Sequence, residues 1–511
     1  MVIAIFVILL AIFPLTDTDI WWHLACAREW VTTWTPVRTP VVNVHEYFQQ
    51  VIGFVYSLGG APLLVTFKAV LWGVVFALFL CPRHPERHAE RHPELVSGSA
   101  SGSAFRGLSH AELGSASASP AKWLFSLVLL FIFRYQFEMR PVLFSLLFLG
   151  VYWNVIPWLA KEWRESRFDI KRVACAALIL VAQWLWCKCQ GLYILGPIFA
   201  TLVLCVSLLE SKKQGRFCAK FVISQAAFVL FLWSMPFLHR EGLALFLYPF
   251  GLLDRLLGLT PSASVFASQI AENRSPITLL MAGENSFVSV AMILLSLVGM
   301  LVAIWRLYEA CRLDVLYVTL LVTAILALVA ERNFVLLLPV LLGMLPISSK
   351  QPKVATSSLI PHISLPTVYS LLPTFFILGL WARSLSAYDY SMVAYQRVPV
   401  RAATWMAEHP HSGKLFNDDR AGGYLALMNP ADSIYIDGRF ILKTADFFER
   451  YLNYAEDPAL FMHDADSLDI DRALFPLKYY ASWDKLMLAL DGDSRWHLAY
   501  RDEYFAVFDK Q

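Results

Sequence analysis

Two carboxylates, Asp17 and Asp19, close the first apolar run of the chain, in the stretch TDTDIWWHLACAREWVTTWTPVRTPVVNVHE from Thr16 to Glu46. Removing a carboxylate from water costs several kcal/mol before any partner offsets it, so an ionisable residue at a membrane edge is a functional candidate by default. The pair has the chemistry to take a proton from a hydroxyl, or to hold a divalent cation such as Mg or Mn. Its competing reading is that it merely ends a helix at the water boundary. Trp21, Trp22 and His23 follow directly and read more readily as interfacial anchors than as a binding platform. Cationic counterparts stand further along at Arg140, Lys188, Arg274 and Arg332, and the planar fork of Arg grips two oxygens of an anion at once. His45, Glu46 and Glu272 complete the candidate lining, although Glu272 and Arg274 lie close enough in sequence to pair with each other.

These residues must be positioned by a membrane protein. Of 511 residues, 58% are hydrophobic and only 16% charged, with a mean hydropathy of +0.54, which is too apolar for one soluble globule. Set against the ~20 residues a helix needs to cross hydrocarbon, the chain holds about eleven apolar runs of spanning or near-spanning length. They lie near 2–15, 61–81, 122–135, 141–160, 173–187, 190–209, 217–237, 287–306, 313–330, 333–348 and 367–384. The first lacks a basic leader region and a small-residue cleavage site, so it is expected to be retained rather than removed as a signal peptide.

Charge sets the orientation. Basic clusters follow alternate runs: Arg83, Arg87 and Arg91; Lys161, Arg164, Arg167, Lys171 and Arg172; Lys212, Lys213, Arg216 and Lys220; Arg306 and Arg312; Lys350 and Lys353. The positive-inside rule makes these loops cytoplasmic, with the amino terminus inside and the carboxy terminus outside. Asp17, Asp19, Arg140, Lys188, Arg274 and Arg332 then all fall at exterior ends. The net charge of +2 and the scattering of its basic residues exclude a nucleic-acid surface.

Residues 1–385 are accordingly expected to form a transmembrane domain with exterior loops at 16–60 and 238–286, the latter beginning with an interfacial helix. Residues 386–511 carry no spanning run and are expected to form an exterior α/β domain, with strands at 414–417, 433–437, 472–477 and a hairpin over 496–508. Gly422 with Gly423 and Asp437 with Gly438 are expected to mark tight turns, and Asn417, Asp418, Asp419, Asp437 and Arg439 suit strand ends and turns. The glycines of GGYL lack the strand-turn-helix setting of a phosphate cradle. The segment 82–120, rich in Ser, Ala, Gly and His, reads as a disordered insertion, and the metal reading of its His84, His88 and His92 is weakened by Pro85 and Pro93. All eight cysteines precede the exterior domain, so no disulfide framework is implied, and Cys187 and Cys189 read as buried thiols.

The acidic pair in the first exterior loop, the many membrane helices and the terminal exterior domain resemble the GT-C superfamily of integral-membrane glycosyltransferases. DTDIWWHLACAREW, His45 with Glu46, YSLGG at Tyr56–Gly60, Arg140 with Pro141, AENRSP around Glu272, ERN at Glu331–Asn333, GGYL and IDGR are similar to a group of bacterial membrane proteins of that kind. Where such proteins tend to carry a WxNxHG pattern, this chain has Trp186, Lys188, Gln190 and Gly191, so Lys188 is expected to pair with an acidic residue or a phosphate instead.

The resemblance implies transfer of a hexose or pentose from a polyprenyl-phosphate lipid donor to a glycan, lipid or protein acceptor at the exterior face of a bacterial inner membrane, by an inverting single displacement. Asp17 or Asp19 would take the acceptor proton, and Arg140, Lys188, Arg274 and Arg332 would steady the departing phosphate. Two other classes fit the same composition. One is a transporter or flippase for a lipid-linked glycan, its charges lining a pathway. The other is a non-catalytic assembly subunit.

Overall fold

The computed structural model describes all residues except 1, 40, 81–119, 165–169, 214–218, 285, 311–313, 345–364, 387 and 479–480. The insertion with its histidines, and Lys350 with Lys353, therefore lie outside the described residues.

Each expected apolar run carries a helix. In chain order these elements are α1 (Val2–Leu10), the short α2 (Asp19–Arg28), α3 (Glu46–Leu80), α4 (Pro120–Ile132), α5 (Pro141–Arg164), α6 (Ile170–Trp186), α7 (Leu195–Lys213) and α8 (Ala219–Ser234). Next come α9 (Leu243–Leu257), α10 (Pro261–Gln269) and α11 (Pro276–Met281), followed by α12 (Ser286–Ala310), α13 (Val315–Val329), α14 (Phe334–Met344) and α15 (Leu365–Leu385).

The span count departs from expectation. Among the described residues four helices are long and apolar enough to cross a membrane, Glu46–Leu80, Pro141–Lys161, Gly191–Lys213 and Ser286–Glu309. A fifth is added if Val222–Leu238 and Leu243–Asp254, bent by 98°, are taken together. Helices such as α1, with 9 residues, and α14, with 11, reach only part of the way across hydrocarbon. Apolar composition reports burial of either kind, and α14 buries every residue from Phe334 to Leu342 inside protein. By contrast, α12 exposes Leu294, Leu297, Val298, Leu301, Ile304 and Trp305, an apolar face that suits lipid.

α3 is two helices joined at Gly59 and Gly60. Gly60 has φ +62°, a left-handed conformation that favours glycine, and the chain turns there from a short first helix into the apolar run. The first helix, 46–58, buries Phe48, Gln49 and Ile52 while exposing Val51, Phe54 and Leu58, the pattern of a helix lying at an interface.

The terminal region comprises α16 (Val400–Glu408), β1 (Lys414–Asn417), α17 (Asp419–Met428), α18 (Ala445–Glu456), α19 (Pro458–Leu468), β2 (Ile470–Pro476), α20 (Asp484–Gly492), β3 (Trp496–Arg501) and β4 (Phe505–Lys510). Its sheet has the order β1-β2-β4-β3, with β1 and β2 parallel and the other pairs antiparallel. Two expectations are corrected here. Residues 433–437 are not a strand of this sheet: Ile434 makes an isolated bridge to Thr33, and Asn417 takes up the neighbouring backbone by accepting from Tyr435 N and donating to Ile436 O. Gly422 and Gly423 do not mark a turn but lie inside α17, which follows β1 directly, so the strand-helix setting does exist.

Those glycines serve close packing. A Cβ at Gly422 would stand 1.9 Å from Ile436 O, and one at Gly423 would stand 2.6 Å from Trp22 N, so α17 presses its backbone onto α2. The bundle core consequently runs without interruption through Trp21 and Leu24 into Ala402, Tyr424, Leu425 and Leu474 of the terminal region. A second, aromatic core around Phe416, Tyr435, Tyr451, Phe461 and Trp483 fills the other side of the sheet.

Candidate functional site

The site lies where the first loop meets the terminal region. α2 begins at Asp19 one turn before the two tryptophans, and burial of Ile20, Trp21, Leu24 and Ala25 fixes its rotation, because α17 and α3 cover those faces. Arg140 immediately precedes Pro141, which starts α5 with a ring already set for a helical φ. Glu272 stands in a single 3₁₀ turn at Ala271–Asn273, and Arg332 in another at Glu331–Asn333. The two turns are tied by Glu331 N donating to Arg274 O at 3.0 Å.

Arg140 is the hub. Its Nε and Nη2 donate to Asp17 Oδ2 and Oδ1 at 2.9 and 3.1 Å, while Nη1 and Nη2 donate to Glu272 Oε2 and Oε1 at 2.7 and 2.6 Å. Burial opposes ionisation of Glu272, yet the Arg140 guanidinium, with Arg332 and Arg397 nearby, holds its carboxyl below the usual range. Below this hub, Thr16 hydroxyl donates to Glu138, and the buried Lys68 ammonium donates to Phe13 O at 3.1 Å.

Asp19 is different from Asp17. Its backbone N–H donates to Asp17 Oδ1 at 3.3 Å, but its carboxylate makes no ion pair among the described residues. Burial, and then the charge of Asp17, push its pKa well above the usual carboxylate value. The terminal region lies against it: a Cβ at Gly438 would stand 1.9 Å from Asp19 Oδ1 and 3.4 Å from the indole nitrogen of Trp22. That nitrogen is buried and close enough to the Asp19 carboxylate for the indole N–H to favour its charged form. Gly438 is held by its neighbours, since Arg439 forks onto Asp437 with Nη2–Oδ2 at 2.5 Å and donates to Val31 O at 3.0 Å. Arg439 also lies over the Trp22 and Trp30 rings at 5.6 and 4.9 Å.

An aromatic layer separates this centre from a second ionic group. Trp22 lies against His23, tilted by 32° with ring centroids 3.5 Å apart, and His23 meets His45 edge-on at 5.1 Å. Burial lowers both imidazoles, His45 to about 4, so both are neutral at pH 7. His45 Nδ1 lies 3.2 Å from Cys189 O, and on its far side Lys188 Nζ pairs with Glu46 Oε2 at 2.8 Å and Glu241 Oε1 at 2.6 Å. Lys188 is 3% exposed and neutralised on both sides.

The structure thus brings together Asp17, Asp19, Arg140, Glu272 and Arg332, with Trp22 and His23 behind them. Trp21 stands apart, fully buried edge-on to Tyr424 at 5.0 Å. Lys188 and Glu46 pair in the second group, and Arg274 pairs with Glu284 at 2.5 Å rather than with Glu272. Arg332 makes no hydrogen bond or ion pair among the described residues and sits in the field of Glu272, Tyr248 and Asp19. In the terminal domain, Asn417, Asp418, Asp419 and Asp437 are occupied within the fold; Asp418 caps α17 and accepts from Trp483, and Asp419 accepts from Tyr451.

The sequence reading passed over several participants. Lys68 lies inside an apolar run and Glu138 stands two residues before Arg140; both carried the same signal as Asp17, an ionisable group at membrane depth. Arg397, in the connection to the terminal domain, carried no such signal.

No group of three or more His, Cys, Asp or Glu side chains among the described residues is arranged to hold a metal ion. Both oxygens of Asp17 and both of Glu272 are already taken by Arg140. The donor set as arranged does not fit Mg or Mn, because the guanidinium fills the space between the two carboxylates where an ion with oxygen ligands at about 2.0–2.1 Å would sit.

No protein-family model matches the sequence, and no curated protein matches it. Among solved structures, the chain is similar to the oligosaccharyltransferase AglB of Archaeoglobus fulgidus. The structure in complex with an inhibitory peptide and a dolichol-phosphate is 11% identical, with 100% of this chain and 74% of that chain covered and a TM-score of 0.46. The apo form is 11% identical with 96% and 72% covered and a TM-score of 0.48, and the form tethered to an acceptor peptide is 11% identical with 96% and 71% covered and a TM-score of 0.46. The likeness is distant.

Proposed function

We propose that this chain is an integral-membrane glycosyltransferase that moves a sugar from a polyprenyl-phosphate-type lipid donor to a hydroxyl or amide acceptor at the face where the terminal domain sits. The observation that carries the reading is the inequality of the two aspartates. Asp17 is locked in an ion pair, whereas Asp19 makes none among the described residues, is half-buried and is raised in proton affinity in the field of Arg332, which makes no ion pair among them either. A base must be free to accept a proton, and a leaving phosphate needs a cation that is not already committed.

In this mechanism Asp19 accepts the proton of the acceptor as its heteroatom bonds to the anomeric carbon. The bond from that carbon to the donor phosphate oxygen breaks in the same displacement, inverting the centre. Arg332, with Arg397 in the same field, receives the phosphate charge. Exclusion of water follows from the aromatic layer of Trp22, His23 and His45, which backs the site with neutral rings.

The reading is tested by glycan and lipid profiling of a strain lacking the gene, complemented with wild-type protein or with Asp19→Asn. The expected result is a missing glycosylated species that wild type restores and Asp19→Asn, present at equal level in the membrane, does not. Full restoration by Asp19→Asn, or an unchanged profile in the deletion strain, would overturn it. Reporter fusions at residue 511 test the sidedness: the reading requires the terminal domain outside the cytosol.

A further inference from the structure

We infer that the guanidinium of Arg140 is the resident cation of this acidic centre, occupying the place between Asp17 and Glu272 that a divalent metal would otherwise take, so that the centre works without one.

The guanidinium fills the space that a bridging metal would need. A metal bridging two carboxylates needs an inward-facing oxygen from each at bonding distance, with the remaining positions filled by water or substrate. Here the four oxygens of Asp17 and Glu272 all point at one planar group, at 2.6–3.1 Å. A guanidinium presents five N–H donors in a rigid fork, and Arg140 uses three nitrogens on two carboxylates, a geometry that lysine cannot reproduce. Its charge is also permanent, because arginine does not deprotonate in proteins.

Local charge agrees. The carboxylates of Asp17, Asp19 and Glu272 share their space with the guanidinium groups of Arg140, Arg332 and Arg397, which the field around Glu272 and Arg332 brings within reach. The Arg140 guanidinium already supplies positive charge between Asp17 and Glu272, and a dication added there would meet it at close range.

The consequence for chemistry is that Arg140 holds Asp17 in place and keeps a positive charge beside Asp19 across the pH range. It therefore acts on Asp19 as a positioning and charge-setting residue. This inference rests on the reading of the centre as a transferase site, but its test does not use turnover.

The full-length protein, purified in detergent and freed of metal with a chelator, is titrated with Mn²⁺ while free Mn²⁺ is followed by electron paramagnetic resonance. Wild type is expected to show no saturable binding that depends on Asp17 and Glu272. Arg140→Gln releases both carboxylates and is expected to bind about one Mn²⁺ per chain, at least tenfold tighter than wild type, with the gain lost in Arg140→Gln/Asp17→Asn. The inference is overturned if wild type binds Mn²⁺ and Asp17→Asn or Glu272→Gln removes that binding, or if Arg140→Gln with wild-type helix content and elution gains none. Binding that survives the Asp17→Asn/Glu272→Gln pair lies elsewhere and counts as none at this centre.

Discussion

What distinguishes Asp19 from Asp17 is the ion pair it lacks among the described residues. Its neighbour Asp17 shares the Arg140 guanidinium with Glu272, and that pairing leaves Asp19 with like charge on one side and buried surface around it. Its proton affinity is raised above that of an ordinary carboxylate near pH 4. A base must be ionised to act, so activity is expected to rise with pH through a limb lying above that range. Asp19→Asn should remove about 10²–10⁴-fold of the rate, and Asp17→Asn should move the acid limb to lower pH by deleting the like charge, both measured as initial transfer rate against pH. The stability term has the opposite course. Because the folded state binds this proton more tightly than the unfolded chain, the contribution is full below the unfolded pKa and is lost as pH rises through the raised folded value.

Two elements hold these residues in register. The loop at Asp437–Arg439 brings backbone against Asp19, where even a methyl group at Gly438 would collide with the carboxylate. Gly438→Ala is therefore expected to turn Asp19 aside and reduce transfer about tenfold or more, as small misplacements of reacting groups do. Membrane insertion and melting temperature should change little, because the displaced atom is the end of a side chain. The opposite outcome is expected for the second ionic group. Lys188→Met leaves Glu46 and Glu241 facing each other without a cation, and since Glu46 is 43% and Glu241 23% exposed the cost should be about 1–3 kcal/mol, less than for a fully buried pair. Thermal unfolding in detergent measures it, and rescue by Lys188→Arg would separate charge from packing.

The terminal domain is not a tethered bead. It shares its core with the bundle through α16, α17 and α2, bridges Thr33 to Ile434, and bonds Leu15 N to Met392 O at 3.0 Å. The basic ends of α5 and α7 lie at the opposite extremity, since α5 starts beside the site and its 24 residues extend about 36 Å away from it. Deleting residues 386–511 should consequently bare Trp22 and the Tyr424-facing edge of Trp21 rather than leave an intact membrane half. The expected result is a chain that inserts yet aggregates on extraction, checked by size-exclusion chromatography against the full-length protein.

Composition and pattern sufficed to read a helical membrane protein from the chain, along with the helix in each apolar run and the hairpin of β3 and β4, and they singled out Asp17, Asp19, Arg140, Glu272 and Arg332 as costly ionisable groups beside apolar runs, which the fold gathers in one place. Pairing was not legible in the same way. Whether Glu272 meets Arg140 or Arg274, whether Lys188 is free or clamped, and which aspartate remains unpaired depend on which helix ends become neighbours, and nothing in the periodicity of a single run encodes that. The number of true spans was likewise hidden, since a run buried by other helices and a run buried by lipid have the same apolar composition. Folding settled these points through side chains distant in sequence, most of all through one arginine reaching two carboxylates and one glycine close enough to touch a third.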